Sequence, residues 1–177
     1  MERDLALNLK NSHFKKSEFF KVKMDKKETC VIFLGADHAG FRLKEEIKKF
    51  LDKSGYKWKD LGVYSGEASS DYPKTAFKLA NKVAKQGGMG ILMCGTGTGE
   101  SIAANKVRCI RAANCFDEYT ARMSREHNDS NVLCLGARII KKDMAEKIVK
   151  AWLETDFSNE ERHIRRLKQI KDMEKCN

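Results

Sequence analysis

Apolar and polar positions alternate with two different periods along most of the chain. Short apolar runs, typical of buried strands, are separated by stretches in which apolar residues recur every three or four positions, as on one face of a helix. Around residues 56–58, aromatic residues alternate with lysines, which indicates a half-exposed edge strand. The pattern predicts strands over 30–34, around 56–58, and over 89–94, 109–113 and 131–135.

Helices are predicted between these strands. The first carries Leu43, Ile47 and Leu51 on one face and ends at Gly55, and a second opens at Pro73 and ends near Gly87. Further helices are predicted over 101–106, 117–124 and 144–153, and a charged last helix starts at about 159. Regular alternation of strands and helices requires right-handed crossovers. The sequence therefore predicts an α/β fold, a three-layer αβα sandwich of Rossmann-like type with a five-stranded parallel sheet.

The first 27 residues differ from the rest because they are rich in lysine and have no sustained periodicity. We expect residues 1–27 to be a basic, mobile extension and residues 28–177 to form a single domain. Phe14, Phe19 and Phe20 leave open a helix that binds a partner or a membrane surface. A solvated basic tail is the favoured interpretation of this segment.

Composition narrows the class of protein further. The chain has 177 residues, of which 41% are hydrophobic, enough for one compact domain. Apolar runs of about 18 residues are absent and the first residues lack a secretory pattern, so we expect a cytoplasmic protein that does not cross a membrane. The net charge of +10 admits anionic partners, but no basic face with interleaved aromatics favours nucleic acid. The six cysteines form no C-x-x-C pair, so reduced thiols are expected, without disulfides or zinc.

In open parallel sheets, ligands bind beyond the carboxyl ends of the strands, where the strand order reverses. The first predicted strand leads into Gly-Ala-Asp-His-Ala-Gly over residues 35–40. This sequence places Asp37 and His38 at that edge, between glycines that let a ligand approach the backbone. The alternative is that Asp37 caps the next helix and His38 is incidental.

The third predicted strand leads into Cys-Gly-Thr-Gly-Thr-Gly-Glu-Ser over residues 94–101. Alternate glycines before a helix expose backbone amides, which favours binding of an anion or a developing oxyanion. The motif lacks the Gly-Lys-Ser/Thr ending of a P-loop and the spacing of a dinucleotide site. Loop amides and the helix dipole are expected to lower the pKa of Cys94 and make it a base or nucleophile. Glu100 is either a competing base or an ordinary residue at the start of a helix.

The remaining cysteines in apolar runs (Cys30, Cys109, Cys115 and Cys134) are interpreted as small buried hydrophobic residues. His127 lies just before the fifth strand and therefore at the opposite end of the sheet from Cys94. A five-residue strand separates them by roughly 17 Å. His127 is then either a structural cap or part of a site that it completes in a neighbouring subunit across a two-fold interface.

Two arginines of the last helix, Arg162 and Arg166, are four residues apart and share a helix face. They are candidates for a phosphate clamp, with Arg138 after the fifth strand as a third donor. The alternative is a charged surface helix without a ligand.

With these motifs in place, the sequence resembles the type B ribose-5-phosphate isomerase family, which also includes galactose-6-phosphate isomerases. The resemblance covers roughly residues 30–170. It rests on six ordered motifs, of which the most distinctive are Gly-Ala-Asp-His-Ala-Gly, Cys-Gly-Thr-Gly-Thr-Gly and Ser-Arg-Glu-His-Asn-Asp. The others are Asp71-Tyr72-Pro73, Leu-Gly-Ala-Arg and the terminal Arg-His-x-x-Arg.

The resemblance implies interconversion of ribose 5-phosphate and ribulose 5-phosphate without metal or cofactor, in a homodimer with shared active sites or a tetramer. It implies that Cys94 transfers a proton between C2 and C1 and that His127 helps to open the furanose ring. The implied partners of the sugar oxygens and the enediolate are Asp37, Asn128, Gly95, Gly97, Thr98 and Gly99, with Thr96 in support. The implied partners of the phosphate end are His38, Arg138, Arg162 and Arg166.

Two features differ from the family pattern. Some members use a glutamate at the position of Glu100 as the base and lack the cysteine, whereas this chain has both. Glu160 and Glu161 precede Arg162 where the family often has glycine, and they are expected to compete for its guanidinium. The open alternatives are a six-carbon substrate (galactose 6-phosphate or allose 6-phosphate) and a non-catalytic protein that binds sugar phosphates.

Overall fold

A computed structural model describes residues 30–174 of the chain. Within this range, five parallel strands form one sheet in the order β2-β1-β3-β5-β4. The strands are β1 (Ile32–Ala36), β2 (Trp58–Asp60), β3 (Met89–Cys94), β4 (Ala112–Asn114) and β5 (Val132–Gly136). The three central strands β1, β3 and β5 are buried along their whole length. A parallel sheet covered on both faces requires such continuous apolar runs, and the predicted fold is confirmed.

The described part of the chain contains six helices. They are α1 (Phe41–Lys53), α2 (Tyr72–Gln86), α3 (Thr98–Ala104), α4 (Glu118–Asn128), α5 (Lys142–Glu154) and α6 (Glu161–Met173). Helices α1, α4 and α5 bury their apolar sides against one face of the sheet, and α2 and α3 cover the other. On α5, the predicted apolar stripe over 144–153 includes Trp152, which is fully buried and donates from Nε1 to Ser130 Oγ at 2.7 Å.

The sheet order positions the site. From β1 the chain crosses to β2 on one side and then returns to β3 on the other side of β1. The crevice at such a reversal lies between the carboxyl ends of the two inner strands. Ala36 at the end of β1 is paired with Met93 near the end of β3, so the two following loops meet at one edge.

The fourth strand differs from the prediction over 109–113, since it begins only at Ala112. Asn131 holds the preceding segment, because its side chain accepts from Arg111 N and donates to Cys109 O, each at 2.8 Å. Cys109 is exposed, with φ at 67°, and its N–H donates to Glu174. The interpretation of Cys109 as a buried hydrophobic residue is therefore wrong, whereas Cys115 and Cys134 are buried as expected.

Two helices also differ in extent. Helix α3 begins at Thr98 rather than at 101, and α4 continues to Asn128, four residues beyond the predicted end at 124. Asp117 and Thr120 cap the start of α4 reciprocally, and Asp129 ends it in a left-handed conformation. His127 consequently lies on the last turn of a helix.

The predicted extension over residues 1–27 lies outside the described residues, as does Cys176. Between residues 30 and 174, no helix has the length and apolar character needed to span a bilayer.

Candidate active site

The loop that leaves β1 presses against the end of β3. A Cβ on Gly40 would lie 1.8 Å from Met93 O, so only glycine fits at this position. The Asp37 side chain is buried, and its Oδ1 accepts from Gly40 N at 2.9 Å. Asp37 thus closes the turn before α1 and lies at the edge where ligands bind in this fold. The N-cap of α1 is Gly40, without a side-chain cap hydrogen bond, so the interpretation of Asp37 as the helix cap is wrong.

His38 is fixed by a partner that sequence analysis did not identify. Its backbone N–H donates to Ser70 Oγ at 3.0 Å, and its Nδ1 accepts from Ser70 N at 3.2 Å. An acceptor role for Nδ1 places the proton of the neutral ring on Nε2. His38 therefore presents a donor, which suits an anionic or hydroxyl oxygen. Ser70 lies in a Gly/Ser-rich loop, where a sequence gives no signal for such a contact.

Cys94 ends β3 and is almost completely buried, with 4% of its surface exposed. Its Sγ accepts from Gly97 N at 3.1 Å. Burial raises the pKa of the Cys94 thiol and the nearby Glu100 carboxyl raises it further, while the amides of Thr96, Gly97 and Glu100 lower it. The amides act as expected, but burial outweighs them, so the predicted net lowering of this pKa is wrong.

Glu100 lies in the first turn of α3, as expected, but points inward. It is 0% exposed, and within residues 30–174 neither carboxyl oxygen has a hydrogen-bond partner of normal geometry. Burial raises its pKa well above the ordinary value, and the charge of Asp37 raises it further. The Cys94 thiol lies close enough to act in the opposite direction. Thiol and carboxyl therefore titrate as a pair.

Asn114 at the end of β4 clamps the glycine loop. Its Nδ2 donates to Thr96 O at 3.3 Å and to Thr98 Oγ1 at 3.2 Å. Gly97 has φ at 80°, and a Cβ there would lie 2.2 Å from Asn114 Oδ1. The loop conformation therefore requires glycine at 97, and Asn114 holds the amides in place. Sequence analysis did not identify Asn114, since it ends a short strand.

Two further side chains border this loop. The Tyr72 ring lies over Gly99, where a Cβ would approach it to 2.6 Å. Arg138, two residues after β5, lies against Gly95, with its side chain 3.5 Å from the position of a Cβ. Arg138 thus brings a positive charge to the loop, beside Cys94.

The second group of predicted residues lies at the other end of the sheet. The rings of His127 and His163 are in contact, with centroids 4.4 Å apart and the planes tilted by 36°. His163, on α6, is buried and its Nδ1 lies 2.7 Å from Ser158 Oγ. Burial lowers the pKa of His163, and His127 lowers it further. Arg111, another residue that sequence analysis missed, donates from Nε to Asn128 O and fixes the turn after His127.

Arg162 and Arg166 lie on α6 on either side of His163, whose pKa both lower. The expected competition is present, since Arg162 Nε donates to Glu160 Oε2 at 2.8 Å. Arg138 is not near them within one chain, because it follows β5 whereas His127 precedes it. A phosphate clamp that includes all three arginines stays a prediction.

The described residues form no group of three His, Cys, Asp or Glu side chains that could hold a metal ion. The carboxyl edge of the sheet contains a thiol, a buried carboxyl, a loop of backbone amides and an arginine. The fold defines a Rossmann-like α/β protein, and this edge, at the switch point of the sheet, is where proteins of that class bind small molecules.

Comparison with known proteins narrows the class. The Ribose/Galactose Isomerase family matches residues 32–170. Ribose-5-phosphate isomerase B of Escherichia coli is 45% identical over 146 residues, which cover 81% of this chain and 95% of that protein. The chain belongs to the ribose/galactose isomerase family and is an isomerase.

Solved structures support the same family assignment. Ribose-5-phosphate isomerase B of Clostridium thermocellum has a TM-score of 0.79 and 49% identity, covering 82% of this chain and 97% of that one. The enzyme of Mycoplasma genitalium, solved with bound ribulose-5-phosphate, has a TM-score of 0.79 and 40% identity, covering 83% and 97%.

Proposed function

We propose that this isomerase interconverts ribose 5-phosphate and ribulose 5-phosphate through an enediolate. The observation that carries the proposal is the Cys94 sulfur at the end of β3, held 3.1 Å from Gly97 N at the head of the amide loop. Relatives at 38–45% identity that are named ribose-5-phosphate isomerase B support the same substrate. They do not favour a six-carbon sugar phosphate or a non-catalytic binding protein.

In this proposal Cys94 is the base that moves a proton between C2 and C1. The amides of Gly95, Gly97, Thr98 and Gly99 stabilise the enediolate oxygen, because fixed donors are most effective where charge develops. Thr96 supports the loop through its contact with Asn114. Glu100 is the alternative base. Asp37 and Asn128 bind sugar oxygens.

The phosphate end is assigned to His38, Arg138, Arg162 and Arg166, and ring opening to His127. Because His127 and the two α6 arginines lie at the opposite end of the sheet from Cys94, we propose that a second copy of the chain supplies them. The assembly is then a homodimer with two shared sites, or a tetramer of such dimers. We assign the isomerase domain to residues 28–177. The proposed reaction needs no cofactor and belongs to pentose phosphate metabolism in the cytoplasm.

A coupled assay tests the substrate assignment. The purified enzyme is compared on ribose 5-phosphate, galactose 6-phosphate and allose 6-phosphate, with Cys94→Ala as the blank. We expect kcat/KM for ribose 5-phosphate to exceed that for either six-carbon sugar by at least about tenfold, since an extra carbon must fit a pocket of fixed length. A higher value for a six-carbon sugar, or no turnover of any of the three, contradicts the assignment.

A further inference from the structure

Glu100 and Cys94 offer very different surroundings to a negative charge. Within residues 30–174, neither oxygen of Glu100 has a hydrogen bond of normal geometry, although the side chain is 0% exposed and the Cys94 thiol lies close by. A buried carboxylate without well-formed hydrogen bonds is costly, and protonation removes that cost. The Cys94 sulfur, in contrast, accepts an N–H from Gly97 at 3.1 Å. A hydrogen bond donated to the charged form stabilises that form.

The other ionisable groups around Glu100 do not favour a charge there. Asp37, at the end of β1, is a second carboxyl that faces it, and Cys94 faces it from the end of β3. Cys134 on β5 is a third neighbour and carries a buried thiol. None of the three brings a positive charge, and the charge of Asp37 makes an anionic Glu100 less favourable. Only the neutral Cys94 thiol acts the other way, and it stops doing so once the sulfur ionises.

We propose that, when the Cys94–Glu100 pair holds a single proton, Glu100 holds it as a neutral carboxylic acid, taken from Cys94, and the sulfur bears the negative charge. In this transfer the S–H bond breaks, an O–H bond forms on Glu100, and the charge moves from carboxylate to sulfur. Nothing is oxidised or reduced. Glu100 is then a positioning residue that acts through Cys94, and it is not itself the base.

The inference rests on the proposed function only in assigning Cys94 as the base. Burial and Asp37 raise the pKa of Glu100 well above its ordinary value, in agreement with a proton on that carboxyl. A protonated Glu100 also explains how one site can contain both the cysteine and the glutamate, each of which is expected to be the base in some family members. When Cys94 and Glu100 share one proton, only one of the two groups is charged.

Infrared spectroscopy of the substrate-free enzyme tests the protonation of Glu100 directly. A protonated carboxyl gives a C=O stretch separate from that of a carboxylate. We expect this band at neutral pH in the wild type and its loss in Glu100→Gln. The matched control is Glu118→Gln, because Glu118 also lies in the first turn of a helix but pairs with Arg122 at the surface. That variant should keep the band, and a wild-type spectrum without it overturns the proposal.

The charge on sulfur is tested by ultraviolet titration of the thiolate, with the Cys94→Ala spectrum subtracted to remove the other cysteines. If the sulfur ionises beside a neutral acid, Glu100→Gln should move the midpoint by less than about half a pH unit, because glutamine is also neutral. If Glu100 is the anion, its removal should lower the midpoint by about one unit or more, which overturns the proposal.

Both spectra are recorded without substrate, so their outcome is independent of the sugar that the enzyme prefers. If the enzyme turns over none of the three sugars in the coupled assay but shows the protonated-carboxyl band, the proposed function is contradicted and the protonation of Glu100 stands. An enzyme that is active in the assay but lacks that band would support the proposed function and overturn the protonation of Glu100.

Discussion

Cys94 and His127 lie towards opposite ends of the sheet, Cys94 at the carboxyl end of β3 and His127 on the last turn of α4, before the amino end of β5. Cys94 is the last residue of β3 and pairs with Gly136 at the end of β5, whereas His127 precedes the start of β5 at Val132. The length of β5, roughly 17 Å for a five-residue strand, separates the two ends of the sheet. Reactions that need both groups at one sugar therefore require a second subunit, and this requirement underlies the mechanism proposed here.

Replacement of Cys94 by alanine removes the proposed base while leaving the amide loop and the arginines in place. We expect kcat to fall by about 10²–10⁴-fold, the usual contribution of a positioned base, with binding of ribose 5-phosphate retained. Steady-state kinetics and calorimetric titration measure the two effects separately. Near-normal kcat in Cys94→Ala, together with a large loss in Glu100→Gln, would transfer the role of base to Glu100.

Gly97→Ala should damage both stability and activity. Alanine at φ 80° is strained, and its Cβ would meet Asn114 Oδ1 at 2.2 Å, which forces the amide loop to move. Gly55 provides the control, because it has φ at 77° but nothing within 4 Å of a Cβ. Both variants should lose about 1–2 kcal/mol of unfolding free energy from the backbone alone. Gly97→Ala should lose more than this and also lose kcat, and equal effects of the two substitutions would show that the loop tolerates the methyl group.

Lys44 is a fully buried lysine on α1, and its Nζ donates to both carboxyl oxygens of Asp60, at 2.7 and 2.9 Å. Lys44→Met should lower the free energy of unfolding by about 3 kcal/mol, because it leaves a largely buried carboxylate with only the Gly62 N–H and the more distant Lys48 as partners. The control Lys49→Met breaks an exposed pair with Glu46, which contributes at most about 1 kcal/mol. Chemical denaturation measures both, and similar losses would contradict the assignment of a buried ion pair.

His163 should make the protein sensitive to acid. Burial lowers its pKa in the folded protein, so below its ordinary pKa the unfolded chain binds a proton that the folded chain does not. Its contribution to stability is therefore present above about pH 6.5 and is lost as the pH falls. Denaturation of the wild type and His163→Asn between pH 7 and pH 5 should give a steeper loss in the wild type. Parallel curves would rule out His163 as the cause.

Much of the fold could be predicted because its signals are local. The apolar runs of β3 and β5 and the stripe of α5 that contains Trp152 reflect burial that a sequence shows directly. The start of β4 could not be predicted, because Asn131, about 20 positions along the chain, holds the segment at Cys109 away from the sheet. The late end of α4 depends on the left-handed conformation of Asp129, which no apolar period signals.

For the candidate site, the end of the sheet at which each group lies could be predicted from the sequence, but the surroundings of each group could not. The pKa of Cys94 depends on how deeply the thiol is buried, and burial at the end of a strand depends on packing by distant residues. Ser70 and Asn114 were missed for the same reason, since each is brought to the site by tertiary contacts and neither belongs to a motif whose spacing has a chemical meaning. Tyr72 was found only as part of the Asp71-Tyr72-Pro73 motif, and its contact with Gly99 was not predicted.

The shared site is tested most directly by complementation between two inactive variants, Cys94→Ala and His127→Ala, refolded or expressed together. If each site takes its thiol from one subunit and its imidazole from the other, every mixed dimer has one intact site. Equal mixing should then restore about a quarter of wild-type activity, since half of the dimers are mixed and each has one working site of two. If the mixture stays as inactive as either variant alone, Cys94 and His127 do not meet across an interface, and the account is contradicted.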